Sequence, residues 1–461
     1  MEIRVKNLGA LKQATFELGD LTIICGGNNT GKTYATYALF GFLYTWRKML
    51  SIKIVDQTLD DLLNEGVIHI DLSNYVERAD KILAQGCEVY TRHLPEIFSA
   101  NPNNFRESNF HVSLLAEQPI KITAPFERKV RAANAELFSL VKAEGDVKLI
   151  VSLLGAKEKL PKEVIKDIIT NTILEIIFNQ FFPNPFIASA ERTGAAIFRK
   201  ELNFARNRLL EEISQTDKDI NPMKLFLKNY QDYALPVERN VEFTRQLESV
   251  AKKNSFLIEQ HPKILREFTD IIGGKYNVTR NDELYFLPKG KRIKLTMDES
   301  SSAVRSLLDI GFYLHHIAKQ GDLLIIDEPE LNLHPKNQRR IARLFARLVN
   351  IGIKVFITTH SDYIIKEINT LIMLNQDKPY LKAIAKQEGY QPEEFIDVNR
   401  IKVYIAEEAL VKLANNKKKS RCQTLTPAKI SPDLGIKVPS FDDTINEMNR
   451  IQENIVWGGD D

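Results

Sequence analysis

Cysteine is scarce in this chain of 461 residues. The three present, Cys25, Cys87 and Cys422, lie far apart and make no C-x-x-C spacing. That argues against a disulfide framework or a zinc site and for a reducing compartment, the cytoplasm. A run of about 18 apolar residues, the minimum for a membrane span, is also missing. The longest candidate, 168–182, is interrupted by Thr170, Asn171, Thr172, Glu175, Asn179 and Gln180 and reads as a core helix. The opening Met1-Glu2-Ile3-Arg4-Val5-Lys6 alternates like a strand and has no apolar signal core. Net charge is only +3, so the overall balance points neither to nor away from nucleic acid. Sustained heptads are absent from residues 50–280, and no repeat of fixed period occurs. What remains is an ordinary soluble composition, 44% hydrophobic and 27% charged, on a chain longer than one core supports.

Against that plain background, one stretch stands out. The apolar strand Leu21-Thr22-Ile23-Ile24-Cys25 breaks into Gly26-Gly27-Asn28-Asn29-Thr30-Gly31-Lys32-Thr33, a complete G-x-x-x-x-G-K-T loop. Its glycines permit backbone N–H groups to converge on an anion with no Cβ in the way. Lys32 then reaches the β and γ phosphates, and the Thr33 hydroxyl is placed to ligate Mg²⁺. Residues 34–49 contain no proline and one glycine, and read as a helix whose positive end faces the phosphates. Gly26, Asn28, Asn29, Thr30, Gly31, Lys32 and Thr33 are therefore the expected contacts of a nucleotide's phosphates, a reading that fits kinases, GTPases and motor ATPases alike.

The rest of the chain divides around this loop. Residues 1–50 read as short strands with Gly turns leading into it, and 51–283 as an inserted, mainly helical lobe or arm that returns to the head near 184–194. A few alternating segments, such as Lys148-Leu149-Ile150-Val151, suggest strands within that insertion. The basic helix from Ala195 and a polar arm over 214–257 follow. Residues 284–375 carry the second half of the nucleotide site, and 376–461 read as a small C-terminal α+β lobe.

That second half centres on Leu323-Leu324-Ile325-Ile326-Asp327-Glu328, an apolar strand ending in two acids. In a parallel sheet this end faces the same crevice as the phosphate loop. Asp327 is expected to hold the Mg²⁺ shell and Glu328 to polarise the attacking water. With the following Pro329-Glu330-Leu331-Asn332-Leu333-His334-Pro335, and with Thr358-Thr359-His360-Ser361 after a further helix and strand, the sequence resembles the ABC-type, SMC-like ATPase heads, including the OLD-like proteins. The resemblance covers roughly 1–50 and 285–375. It implies an α/β fold, a P-loop ATPase head with a mixed β layer and a parallel-sheet core, and an inserted helical lobe. It also implies that His360 contacts the γ-phosphate and that two heads close on ATP as a homodimer or higher homo-oligomer.

Heads of this kind take a serine-rich signature from the partner subunit. Asp298-Glu299-Ser300-Ser301-Ser302 resembles it and leads into a helix, with Ser301 as the expected contact, but no glycine follows the serines. A plain helix cap explains them too. Arg192, in the stretch 184–194 that reads as a short buried strand ending in a charged turn, suggests either a phosphate sensor or a structural ion pair. No second chemistry is legible: the residues after Leu374 show no TOPRIM acids, and the eight histidines are scattered. The chain resembles the ATPase subunits of bacterial anti-phage systems such as Septu and certain retrons, whose effector is a separate polypeptide, a nuclease or toxin. The alternatives are a weakly hydrolysing scaffold that holds a toxin inactive, and a DNA-repair ATPase. Basic stretches at Lys289–Lys294 and Lys417–Arg421 offer DNA or RNA phosphates a contact, or are simply solvated.

Overall fold

The computed structural model describes residues 1–115, 119–132, 135–154, 161–199, 233–412 and 419–457. Residues 200–232, which hold most of the expected basic helix and the first part of the expected arm over 214–257, and the cations Lys417 and Lys418 lie outside the described residues. Two compact units are present: one comprises Met1–Arg4, Phe42–Leu94 and Ser108–Pro183, the other Val5–Gly41, Pro95–Glu107 and Asn184–Asp461.

The second unit is built on a six-stranded sheet of β1 (Leu21–Gly26), β2 (Pro185–Ala188), β3 (Leu323–Asp327), β4 (Lys354–Thr359), β5 (Ile401–Lys412) and β6 (Lys419–Pro427). Their order is β6-β5-β1-β4-β3-β2. All neighbours are parallel except β5 and β6. Strands β1 and β3 are buried along their whole length, which is why both read as unbroken apolar runs rather than alternating ones. Helices cover the sheet. Helix α1 (Lys32–Met49) follows β1. Helix α2 (Pro335–Asn350) starts with proline at its first position and the His334 side chain accepting the Lys336 N–H. Helix α3 (Asp362–Leu374) is capped by Ser361. The apolar faces of α2 and α3, including Ile341, Phe345, Ile364 and Ile368, join Leu324, Ile326, Val355 and Ile357 in one core.

Two expectations about organisation need correction. Residues 376–461 do not form a lobe of their own, because β5 pairs with β1 from Ile401↔Leu21 to Ala406↔Gly26. The alternation of Ile401, Val403 and Ile405, each buried, fits a strand laid against an otherwise unpaired sheet edge. The insertion is also less helical than expected. In the first unit Val67–Asp71, Lys148–Leu153, Ala135–Lys142 and Phe126–Ala132 make a four-stranded antiparallel sheet, adjacent in that order. The Val67 strand buries only every second residue, a short period-2 signal lost between helical neighbours.

Aromatic packing anchors the first unit. Phe182 is 2% exposed, with its ring centroid 5.4 Å from Phe42, 5.2 Å from Trp46 and 5.7 Å from Phe178. Truncation to alanine leaves a cavity, so Phe182→Ala should cost about 3–5 kcal/mol in a urea unfolding series.

In the second unit the buried Glu394 carboxylate pairs with Arg343 at 2.7 Å and Arg347 at 3.0 Å. Burial pushes its carboxyl up, but hydrogen bonds from Arg343 and the Gln391 N–H, with both guanidinium charges, bring it below the ordinary value of 4.5. A carboxyl lowered on folding adds stability that is present above its unfolded value and is lost as pH falls through the folded one. Acidification below about pH 4.5 should therefore lower the melting temperature of wild type more than that of Glu394→Gln.

Candidate nucleotide site

Strand β1 delivers the chain to Gly26, whose φ is +142°. A Cβ there would lie 2.5 Å from the Ala406 carbonyl oxygen on β5, so only glycine lets the two backbones approach this closely. Gly31, at φ +94°, is seated equally tightly, with a Cβ falling 2.6 Å from Leu11 Cγ. Between them the Thr30 hydroxyl donates to the Gly27 carbonyl at 2.9 Å, and Gly27, Asn28 and Asn29 form an exposed crest. Helix α1 begins at once, the Ala35 N–H donating to Gly31 O at 3.1 Å. The Lys32 ammonium lies back along the loop, donating to the carbonyls of Gly26 at 3.1 Å and Gly27 at 2.6 Å. Burial lowers its pKa, while the charges of Asp327, Glu328 and Glu330 oppose that shift.

Parallel pairing of β3 and β4 sets Asp327 opposite Thr358. Asp327 is 2% exposed. One carboxylate oxygen accepts from the Thr33 hydroxyl at 3.3 Å and the other from the Thr358 hydroxyl. Burial raises this carboxyl; the Thr358 bond and Arg192 hold it down, and the charges of Glu328 and Glu191 push it further up. Glu328 follows in a left-handed backbone, φ +52°, its N–H donating to Thr358 O at 3.1 Å. Its Oε1 lies 3.3 Å from His360 Nε2. The hydrogen bond from His360 holds the Glu328 carboxyl below the ordinary range, against burial. The residues thus present two converging oxygen donors, from Thr33 and Asp327, that suit a hard divalent cation, beside an ammonium and a phosphate-sized cradle. They fit Mg·ATP.

The structure brings Lys32, Thr33, Asp327, Glu328 and His360 together and leaves Ser301 outside that group. Ser301 caps the helix Ser302–Ser306, its hydroxyl accepting the Val304 N–H at 3.4 Å. Ser300 is buried and donates to Thr296 O at 2.7 Å. Glu330 is a residue of the candidate site that the sequence reading did not single out. Its carboxylate accepts the His360 N–H at 2.6 Å and the Thr359 hydroxyl at 2.9 Å, so it sets the peptide from which His360 projects. The available signal was an acid two residues beyond Glu328. Because Gly26 leaves no room for a methyl group, Gly26→Ala should lower stability by about 1–3 kcal/mol and weaken binding of a fluorescent ATP analogue.

A family model for the AAA ATPase domain matches residues 1–365. No curated protein matches the chain at a significant level. Among solved structures, an Smc head bound to the C-winged helix domain of ScpA is 12% identical, over 79% of this chain and 91% of that one, at a TM-score of 0.30. The Smc head with an extended coiled coil bound to the C-terminal domain of ScpA, derived from Pyrococcus furiosus, is 13% identical over 98% of both chains, also at 0.30. The SMC head domain from Thermotoga maritima is 10% identical over 93% of this chain and 98% of that one, again at 0.30. Superpositions this loose assign nothing to the present chain. The family match spans most of the sequence and contains the phosphate loop, the acid pair and His360, so the chain belongs to the AAA ATPase domain family.

Proposed function

We propose that this chain binds and hydrolyses Mg·ATP, and that two copies close on the nucleotide through their heads. The single observation that carries the reading is the 3.3 Å contact of Glu328 with His360, placed one residue beyond the carboxylate that meets Thr33. Lys32 and the loop amides bind the β and γ phosphates; Thr33 and Asp327 would hold the cation, which would supply positive charge to offset that developing on the phosphates. Glu328, kept ionised by His360, accepts the proton of the attacking water as its oxygen bonds to the γ-phosphorus and the bond to the ADP oxygen breaks. His360 steadies that carboxylate and contacts the γ-phosphate. Ser301, on the rim of its own helix, contacts the nucleotide of the partner head.

The downstream role is regulation or recruitment of a separate effector, a nuclease, in cytoplasmic anti-phage defence. Support for it is the resemblance of the motif set to ATPases of such systems, which is an association and not a mechanism. The buried Ser300 hydroxyl and the self-capping Ser301 favour a second reading, an ATP-bound scaffold with little turnover that restrains a toxin.

Glu328→Gln should retain ATP binding, accumulate dimers in size-exclusion chromatography with ATP, and lose about 10²-fold or more in turnover. Unchanged turnover would overturn the head mechanism, and a wild-type rate equal to that of Lys32→Ala would favour the scaffold. Removing the hydrogen bond that lowers the Glu328 carboxyl should move the acid limb of the pH–rate profile to higher pH in His360→Ala. Co-purification with the products of neighbouring genes tests the effector.

A further inference from the structure

Arg192 is 1% exposed, yet among the described residues no carboxylate hydrogen-bonds to it. Its guanidinium donates to four main-chain carbonyls instead. Nε reaches Ser306 O at 2.7 Å, Nη1 reaches Ser189 O at 2.8 Å and Asp327 O at 2.6 Å, and Nη2 reaches Glu328 O at 2.8 Å. Four of the five donors of an arginine are thereby used, which leaves a phosphate almost nothing to bind. Both roles suggested by the sequence, phosphate sensor and direct ion pair, are replaced by this arrangement.

The carbonyls belong to three separate segments. Ser189 follows β2, Asp327 and Glu328 carry the acid pair, and Ser306 closes the short helix that Ser301 caps. The helix breaks at Leu307 before a second one, Leu308–Phe312, and the Ser306 carbonyl is supplied with its donor by Arg192. A buried carboxyl sits close by: Asp309 accepts from the Thr244 hydroxyl at 3.3 Å, burial pushes it up to about 7 against the Arg192 charge, and its ionised form favours the charged guanidinium, whose pKa burial lowers. The Glu328 peptide donates its N–H to Thr358 O, accepts at its carbonyl from Arg192 and the Leu331 N–H, and lies in the left-handed region that a side chain rarely adopts. A rigid, planar group therefore joins the far end of the helix that Ser301 caps to the backbone that aims Glu328.

From this juxtaposition we infer that Arg192 is a positioning residue which couples the Ser300–Ser302 segment to the orientation of Glu328, so that engagement of that segment by a second head sets the carboxylate for attack. The inference rests on the head-pairing reading above. Arginine is required because lysine offers its donors from a single point and cannot span three segments.

The test compares wild type with Arg192→Lys and Arg192→Ala, counting active sites by stoichiometric binding of a fluorescent ATP analogue and checking folding by thermal melting. Turnover per binding site is followed as protein concentration rises through dimer formation. Wild type should accelerate with concentration. Arg192→Lys should bind nucleotide within about threefold of wild type and still dimerise with ATP when combined with Glu328→Gln, yet fall at least tenfold in kcat and lose the acceleration. Added guanidinium should restore kcat to Arg192→Ala and not to Lys32→Ala. A folded Arg192→Lys protein with the wild-type kcat and acceleration overturns the coupling alone. If wild-type turnover per site is independent of concentration, the head-pairing reading fails, and the coupling falls with it. If Arg192→Ala does not fold, the lysine variant decides; loss of KM alone in that variant, with kcat kept, also overturns the coupling.

Discussion

A carboxylate buried at the carboxyl end of a parallel strand is the constraint around which this site is arranged. Asp327 is almost inaccessible, and an ionised carboxyl in such a place is strongly disfavoured unless its oxygens are hydrogen-bonded. Each structural neighbour answers that demand. Thr358 comes from the adjacent strand by register, Thr33 from the first turn of α1, and the Arg192 charge from beneath. The parallel arrangement makes this economical, since β1, β3 and β4 end together on one edge and deliver the phosphate loop, the acids and His360 without long excursions of the chain.

A second layer of acids refines the first. Glu328 and Glu330 flank the same turn, yet their carboxyls shift in opposite directions. The former is lowered by its contact with the His360 ring, while burial raises the latter despite the bonds it accepts from the His360 N–H and the Thr359 hydroxyl. His360 is thus held at both ends, by its main chain and by its ring. That double hold fixes the position of the His360 ring beside Glu328.

Much of this was legible in the sequence for a definite reason. The phosphate loop, the acid pair and the Thr-Thr-His-Ser run are contiguous segments whose function follows from consecutive backbone geometry, so their residue identities carry the information. The central parallel strands were legible as unbroken apolar runs. Arg192 was visible but its role was not, because its partners are carbonyl groups, which every residue possesses and none advertises. Glu330 was read only as part of a motif, since what it binds is largely a main-chain N–H. The pairing of β5 with β1 escaped because it joins residues separated by almost the whole chain, and nothing local in Ile401–Ala406 distinguishes a strand of the central sheet from one of a small lobe.

That last pairing bears on how the molecule is made. Strand β1 lies between β4 and β5, so the earliest part of the nucleotide site is flanked on both sides by strands synthesised long after it. The close approach of Gly26 to Ala406 cannot exist until Ala406 has left the ribosome. Contacts so distant in sequence are slow to form, and during synthesis the apolar β1 segment must stay soluble without either neighbour. For this chain the phosphate loop is the first chemistry translated and among the last to be assembled, and a nascent chain halted before β5 has a nucleotide sheet with an open edge.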